Sequence, residues 1–440
     1  MQPLLDILST GLVGGDAEPA GLCVAFSGGR DSSVLLHALH QLQLPVPLRA
    51  VYVDHGLLPD SAGWATHCET VCRAWQIPLT TSRVEVASTG KRGGLEAAAR
   101  DARYAALRAG LGTGEFLLTA HHSEDQLETV LLRLMRGGGP AGVAGIRPFV
   151  PFAPGYLARP MLQATGRQIA DYARQHGLHW IEDPSNRDEG RDRNYLRHSV
   201  LPALRERWPA AAETVTRTAR LADEAARLLD ELAQLDAVAV VDGDTLHLGA
   251  LRTLDARRQR NLVRWFLRAH QVSPPSAATL EEGLGQLCDA RVDRAPRLSW
   301  ATGELRRYRE RLYLLRCHPD REPIPGSCQW DGVAPLEFGS LAGRLTLRPS
   351  ADGVPDLGKQ ALTVRFRHGG ERLLQHGQHV SLKSLYQAGG IVPWMRPHVP
   401  LVFSGDELLT VGGLWYAEHA PGRAVAAGLQ VAWAPRERVR

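Results

Sequence analysis

A strand expected over Gly21–Phe26 runs directly into Ser27-Gly28-Gly29-Arg30-Asp31-Ser32-Ser33, and the helical spacing of SSVLLHALHQL follows at once. This junction constrains the fold more than any other stretch. A strand that turns through two glycines into a helix places backbone amides and a helix N-terminus at one edge of a sheet. Free N–H donors and the positive end of the helix dipole converge there, which suits an anion such as phosphate. Ser27, Ser32 and Ser33 add hydroxyl donors. Asp31 is negative and belongs beside phosphate only if a cation such as Mg2+ bridges the two. No GxxxxGK[ST] occurs in the chain and no GxGxxG at this turn, which sets it apart from P-loop kinases and GTPases.

The alternation continues downstream. Leu48–Val53, Leu79–Val86 and Glu115–Ala120 are expected strands, whereas Ser32–Leu42, Gly63–Trp75, Leu95–Ala109 and Ser123–Met135 carry helical spacing. Strands separated by crossover helices make an α/β fold with a parallel sheet that binds ligands at the carboxyl ends of its strands. Beyond residue 146 the sequence is interrupted by prolines through Pro160. Ala210–Leu235 has no Gly or Pro and reads as one long connecting helix. A hairpin-like VAVVDGDTLHL at 238–248, a helix over Ala256–His270 and the Pro-rich linker Pro319–Pro325 follow. A length of 440 residues allows two or three domains. Three are expected: residues 1–215, a mostly helical region 216–318, and a small α+β domain 326–440.

Composition narrows the class. Hydrophobic residues at 44% and charged residues at 22% describe a chain able to bury a core. The first twenty residues lack a basic start and contain Asp6, Asp16 and Glu18, so no secretory signal is expected, and no run of some 18 apolar residues suggests a membrane span. Six scattered cysteines without CxxC fit a reducing cytoplasm and offer no metal-ligand framework. Cys68 and Cys72 share a helix face and read as packing. The net charge is +4; residues 1–210 balance, so the surplus falls in the second half, where a polyanion would meet it.

Three further clusters carry candidate chemistry. Asp54 and His55 end the second strand at the ligand-binding rim, as nucleotide contacts or as a strand cap. In TAHHSEDQLET, Asp125 and Glu128 are three apart and share a face in the first turn of a helix, where the dipole also favours acids. Downstream, WIEDPSN leads to DRNYLR, with Arg193 and Arg197. On Ala256–His270, Arg257, Arg260, Arg264 and Arg268 form a basic stripe suited either to RNA or to water.

The SGGRDS loop resembles the PP-loop of the ATP pyrophosphatase superfamily, an adenine nucleotide alpha-hydrolase-like fold. In order along the chain, VDHGL, EAAARDARY, TAHHSEDQLET, RGGGPAG, ARPML, WIEDPSN, DRNYLR and the segment 364–403 resemble the tRNA(Ile)-lysidine synthetase family. The resemblance covers most of residues 21–210 and 364–420. One departure is Gln378-His379, where a more basic pair is expected. The resemblance implies an ATP- and Mg2+-dependent ligase that adenylates the wobble cytidine of a tRNA(Ile) with a CAU anticodon. Free L-lysine then attacks carbon 2 to give lysidine. It further implies that Ser27–Ser33, with Asp54 and His55, hold the nucleotide, and that Asp31, Asp125 and Glu128 are catalytic. Asp125 and Glu128 would hold the lysine amine and accept its proton, and Arg103, Arg193 and Arg197 would contact phosphate or base. A homodimer is compatible with it. A tRNA thiolase on the same catalytic fold is the alternative, although such enzymes need cysteines placed to carry sulfur or an iron–sulfur cluster.

Overall fold

The computed structural model describes residues 4–12, 18–54, 61–84, 94–182, 188, 190–291, 294–316, 323–339, 341–350, 362–418 and 428–435. His55, Val86, Asp183–Asn186 and Cys317 lie outside the described residues. The chain divides into two compact units, Met1–Leu228 and Leu229–Arg440.

The first unit contains α1 (Leu4–Leu12), β1 (Gly21–Ala25), α2 (Arg30–Leu42), β2 (Leu48–Asp54), α3 (Ser61–Ala74), β3 (Leu79–Arg83), α4 (Gly94–Ala109) and β4 (Glu115–Leu118). It continues with α5 (Ser123–Met135), α6 (Pro140–Val143), β5 (Phe149–Phe152), β6 (Gly155–Ala158), α7 (Gly166–Gln175), α8 (Asp192–Tyr195), a π-turn at Leu196–Val200, and α9 (Leu201–Arg207). The long helix α10 (Ala211–Val240) runs through the division between units.

One sheet orders the strands β3-β2-β1-β4-β6-β5, parallel except for the β5/β6 pair. Leu22 and Val24 of β1, with Phe26 just beyond it, face one core layer together with Val34, Leu35 and Leu39 of α2; Cys23 faces the other layer with Val51, Leu117 and Leu157. This is the period-two alternation of a sheet covered on both faces. The chain leaves β1 toward β2 on one side and returns through β4 on the other. Val24 pairs with both Ala50 and Leu118, so the carboxyl ends of β1 and β4 lie side by side. The loops after these strands meet at this switch point, and α2 and α5 start there.

Three expectations change. Helix α2 begins at Arg30, before the expected Ser32, because Gly29 is its N-cap; Arg30 and Asp31 therefore occupy the first helical turn. The Pro-interrupted stretch forms the hairpin β5–β6 and extends the sheet. Pro151 is tolerated because β5 is an edge strand, and at Gly155 a Cβ would collide with the Glu115 carbonyl oxygen. Residues 237–240 belong to α10, leaving only Val241–Asp242 and Thr245–His247 as the hairpin. Ala233 and Val240 are both buried and seven residues apart, so the apolar face of the helix persists through this run.

In the second unit, helices Leu248–Arg252, Ala256–Ala269 and Ala277–Asp289 accompany a five-stranded antiparallel sheet. Leu262, Val263, Phe266 and Leu267 anchor its core. Farther along, a five-stranded and a three-stranded antiparallel sheet enclose Tyr386, Trp394 and Met395. Much of the basic stripe on Ala256–Ala269 is internally compensated: Arg260 pairs with Glu281 at 3.0 Å, Arg268 with Asp230, and Arg257 approaches Asp255 at 3.7 Å. Among the described residues, no helix is long and apolar enough to cross a membrane.

Candidate active site

The turn after β1 is a phosphate cradle by construction. Gly28 adopts φ +77°, and a Cβ there would approach Cys68 Sγ to 3.1 Å. Gly29, in extended conformation, has no side chain with which to cap α2, so the amides of the first turn keep no side-chain acceptor. The hydroxyls of Ser32 and Ser33 both donate to the Gly29 carbonyl, at 2.9 and 3.0 Å, and Ser27 Oγ lies 3.1 Å from Ser32 Oγ. These bonds fix the loop, whose Ser27 and Gly29 amides donate to Ser32 Oγ and Ser27 Oγ at 3.3 and 3.4 Å, and leave the first-turn amides of α2 to bind the anion. Arg30 Nε donates to Asp31 Oδ1 at 2.9 Å. The cradle that only glycine permits, with one carboxylate at its rim, fits a nucleotide phosphate and a Mg2+ ion held largely by phosphate oxygens and water.

Alanine at Gly28 must adopt a left-handed backbone that costs about 1–2 kcal/mol and must also displace Cys68. Gly28→Ala is therefore expected to weaken ATP binding about tenfold or more. Gly29→Ala should cost no more than about threefold, because its Cβ would meet nothing nearer than Ser27 Oγ at 3.5 Å. Titration with a fluorescent ATP analogue tests this, and equal losses in the two variants would refute the cradle.

The start of α5 faces this loop. His122 lies between three carboxylates: its Nδ1 is 3.0 Å from Glu124 Oε2, and its Nε2 is 3.4 Å from Asp31 Oδ2 and 3.6 Å from Asp125 Oδ2. Asp125 Oδ2 accepts the His122 backbone N–H at 3.1 Å, and Glu124 Oε2 accepts the Gly166 N–H at 2.8 Å. On the far side, Arg193 donates to Asp125 Oδ1 at 2.8 Å and to Glu128 Oε2 at 2.7 Å. Arg197 closes the set with donors to Glu128 Oε1 at 2.7 Å and Oε2 at 3.0 Å. The Glu128 side chain is 1% exposed and Asp125 14%, whereas the two arginines keep about a third of their surface in solvent. Arg193 lies on α8 and Arg197 in the π-turn after it. Such turns are frequent where side chains are aimed at a functional site.

Electrostatics follow from this packing. Burial by itself would push His122 down, but its contacts with Asp31 and Glu124 and the charge of Asp125 raise it to about 10. Burial would raise Asp31 and Glu124; the His122 imidazolium overrides it and brings each to about 2, with help from Arg30 at Asp31 and the Gly166 amide at Glu124. Asp125 is likewise lowered, against burial, by the charges of His122 and Arg193 and by the His122 backbone N–H it accepts. His121 goes the other way: burial and the charges of Arg159, Arg193 and Arg100 outweigh Asp125 and keep it neutral. Consecutive histidines thus carry different charges. The stabilisation from Asp31 and Glu124 is present above their ordinary values of 3.8 and 4.5 and is lost as pH falls toward about 2. The His122 contribution is complete below 6.5 and disappears as pH rises through about 10. His121, lowered to about 4, costs stability as pH falls below its ordinary 6.5, so the catalytic unit is expected to melt highest near about pH 6.5. A maximum above pH 8 in a series of thermal melts would contradict this charge assignment.

The structure brings Asp31, Asp125, Glu128, Arg193 and Arg197 into one connected network. Asp54 ends β2, beside β1. Arg103 stands apart from the network, over the Tyr104 ring at 5.8 Å, with its pKa lowered by burial. His122 and Glu124 were not singled out by sequence reasoning. The only signal for them was their place between a strand end and a helix start. Cys23, Cys68 and Cys72 of this unit are buried, and burial pushes their thiols up to about 11, 12 and 11, away from the reactive thiolate.

A parallel sheet whose central strand opens through SGGRDS into a helix, with acids from the neighbouring strand end, defines a nucleotide-using PP-loop protein, and residues 8–204 match the family model of the PP-loop domain. Residues 246–313 match the TilS substrate binding domain and residues 362–433 the TilS substrate C-terminal domain. The chain is 43% identical over 411 residues to the tRNA(Ile)-lysidine synthase of Alkalilimnicola ehrlichii, covering 92% of each chain. It is 40% identical over 424 residues to that of Methylococcus capsulatus, covering 94% of this chain and 96% of the other. With the Escherichia coli O157:H7 protein of the same name it shares 39% over 398 residues. The chain belongs to the tRNA(Ile)-lysidine synthase family.

Proposed function

We propose that the protein ligates free L-lysine to carbon 2 of the wobble cytidine of tRNA(Ile) bearing a CAU anticodon, with ATP converted to AMP and pyrophosphate. The observation that carries this reading is the single network running from Asp31 in the phosphate loop through His122 to Asp125 and Glu128. It sets a carboxylate suited to an amine beside the place where ATP would be opened. In the first step the cytosine oxygen attacks the α-phosphorus; a new P–O bond forms, the bond to the β-phosphate oxygen breaks, and pyrophosphate leaves. The first-turn amides of α2 hold the departing phosphates. Mg2+, when bound, supplies further charge neutralisation, with Asp31 as the residue that would hold it.

In the second step the lysine ε-amine attacks carbon 2, the C–O bond to AMP breaks, and the amine proton is lost. An amine that titrates near ~10.4 in water needs a base at hand. Asp125 is the acid an incoming amine can reach, its side chain 14% exposed where that of Glu128 is 1%, and it receives the amine and its proton. The target base must leave its anticodon stack to reach the loop, as single-stranded bases do. Incubation with ATP, labelled lysine and tRNA, followed by nuclease digestion, tests the reading. Label at the wobble nucleotide of the CAU anticodon supports it, and sulfur incorporation or no label at all removes it.

A further inference from the structure

We propose that His122 is the positioning residue that holds Asp31 of the phosphate loop in register with the acids of α5, and that it does so through Nε2. The inference rests on the adenylation reading given above. Asp31 lies in the first turn of α2, the same turn whose amides receive phosphate. Of its two ion-pair partners among the described residues, Arg30 is the adjacent residue of the same helix. His122 comes from the end of the neighbouring strand, and its side chain is 7% exposed. The position of Asp31 relative to Asp125 therefore passes through one imidazole ring, whose Nε2 faces both carboxylates at 3.4 and 3.6 Å.

The groups facing this ring come from several elements. Asp31 and Arg30 lie on α2, and Glu124 and Asp125 on α5. Arg193 and Arg197 stand behind Asp125, and Arg205 stands behind Glu124 at 3.7 Å. Three carboxylates converge on the ring, at 3.0, 3.4 and 3.6 Å. The arginines neutralise Asp125 and Glu124 from their outer sides. Between Asp31 and Asp125 stands the imidazole ring, its Nε2 3.4 Å from one carboxylate and 3.6 Å from the other. The two ring nitrogens differ: Nδ1 lies 3.0 Å from Glu124 Oε2 without a hydrogen bond, Glu124 accepting instead from the Gly166 amide of α7, and Nε2 lies toward Asp31 and Asp125. A displacement of about 1 Å at a reacting centre can cost on the order of a hundredfold in rate, so a loose Asp31 would show in the first chemical step.

The two nitrogens can be tested separately. A glutamine amide reaches the position of Nε2, and an asparagine amide that of Nδ1. Wild type, His122→Gln and His122→Asn are compared for tRNA-dependent pyrophosphate release, with kcat and the KM for ATP measured separately, and for melting temperature. His122→Gln is expected to lose about threefold in kcat and His122→Asn about thirtyfold or more, while the two melt alike. Equal losses, losses that follow the melting temperatures, or no loss in either would overturn the proposal. Adding Asp31→Asn supplies a second measurement if His122→Asn is poorly folded: in that background His122→Gln should cost nothing further, and an additive loss overturns the inference. Wild type that releases no pyrophosphate in response to tRNA would remove the adenylation reading and this inference together. An active wild type whose variants depart from the expected order removes the inference alone.

Discussion

Asp125→Asn is expected to reduce lysine transfer to tRNA by about 10²–10⁴-fold, the range over which a positioned base contributes, while tRNA-dependent pyrophosphate release falls less than about tenfold. The asparagine amide can still accept the His122 backbone N–H, so the helix start is kept. What it loses is the negative charge that faces Arg193 and the amine. An adenylated tRNA intermediate should then accumulate, detectable as labelled AMP that stays with the RNA when α-labelled ATP is used. Pyrophosphate release and lysine incorporation falling by the same factor would sink the division of labour proposed for Asp125.

Glu128→Ala should damage the fold before it damages chemistry. It removes the anion that receives Arg193 Nε and two donors of Arg197, and it does so at a side chain that is 1% exposed. Breaking a fully buried pair costs about 3–5 kcal/mol. Both arginines retain solvent contact, which brings the expected loss to about 2 kcal/mol. For a unit of this size that is a fall of about 4–8 °C in melting temperature. Glu128→Gln keeps an oxygen for one guanidinium and should lose less. Removing Arg197 in the Glu128→Ala background should cost less than removing it from wild type, because the partner is already gone. Calorimetry of wild type, the two single variants and the double variant gives the cycle, and additive losses would show that the network is not a unit.

Much of this architecture could be read before the structure was known, for a physical reason. The β1 turn, the crossover helices and the parallel sheet follow from local periodicity and from where glycine is needed, and both signals are written within a few residues. The β5–β6 hairpin escaped because Pro151 and Pro154 argue against strands unless the edge position is known, and that position is a property of the whole sheet. The end of α10 escaped because Ala237–Val240 suits a strand as well as a helix, and packing against a buried face decided it. At the site, Asp125 and Glu128 were legible as a pair, since three residues separate them on one helix. Their contact with Arg193 and Arg197, more than sixty residues away, leaves no periodic trace. His122 was hidden in a dense polar block, and its role depends on β1 and β4 ending side by side.

The four-membered set of Asp125, Glu128, Arg193 and Arg197 also bears on how such a chain can drift. A single change at any of the four leaves a charge facing a partner that no longer balances it, so one-step routes through sequence space pass through weakened proteins. Replacement of the whole set by apolar residues of similar size would fold at little cost, yet it would leave no carboxylate for the amine. Descendants of this chain therefore divide into those that keep all four charges together and those that keep the fold after the reaction has gone.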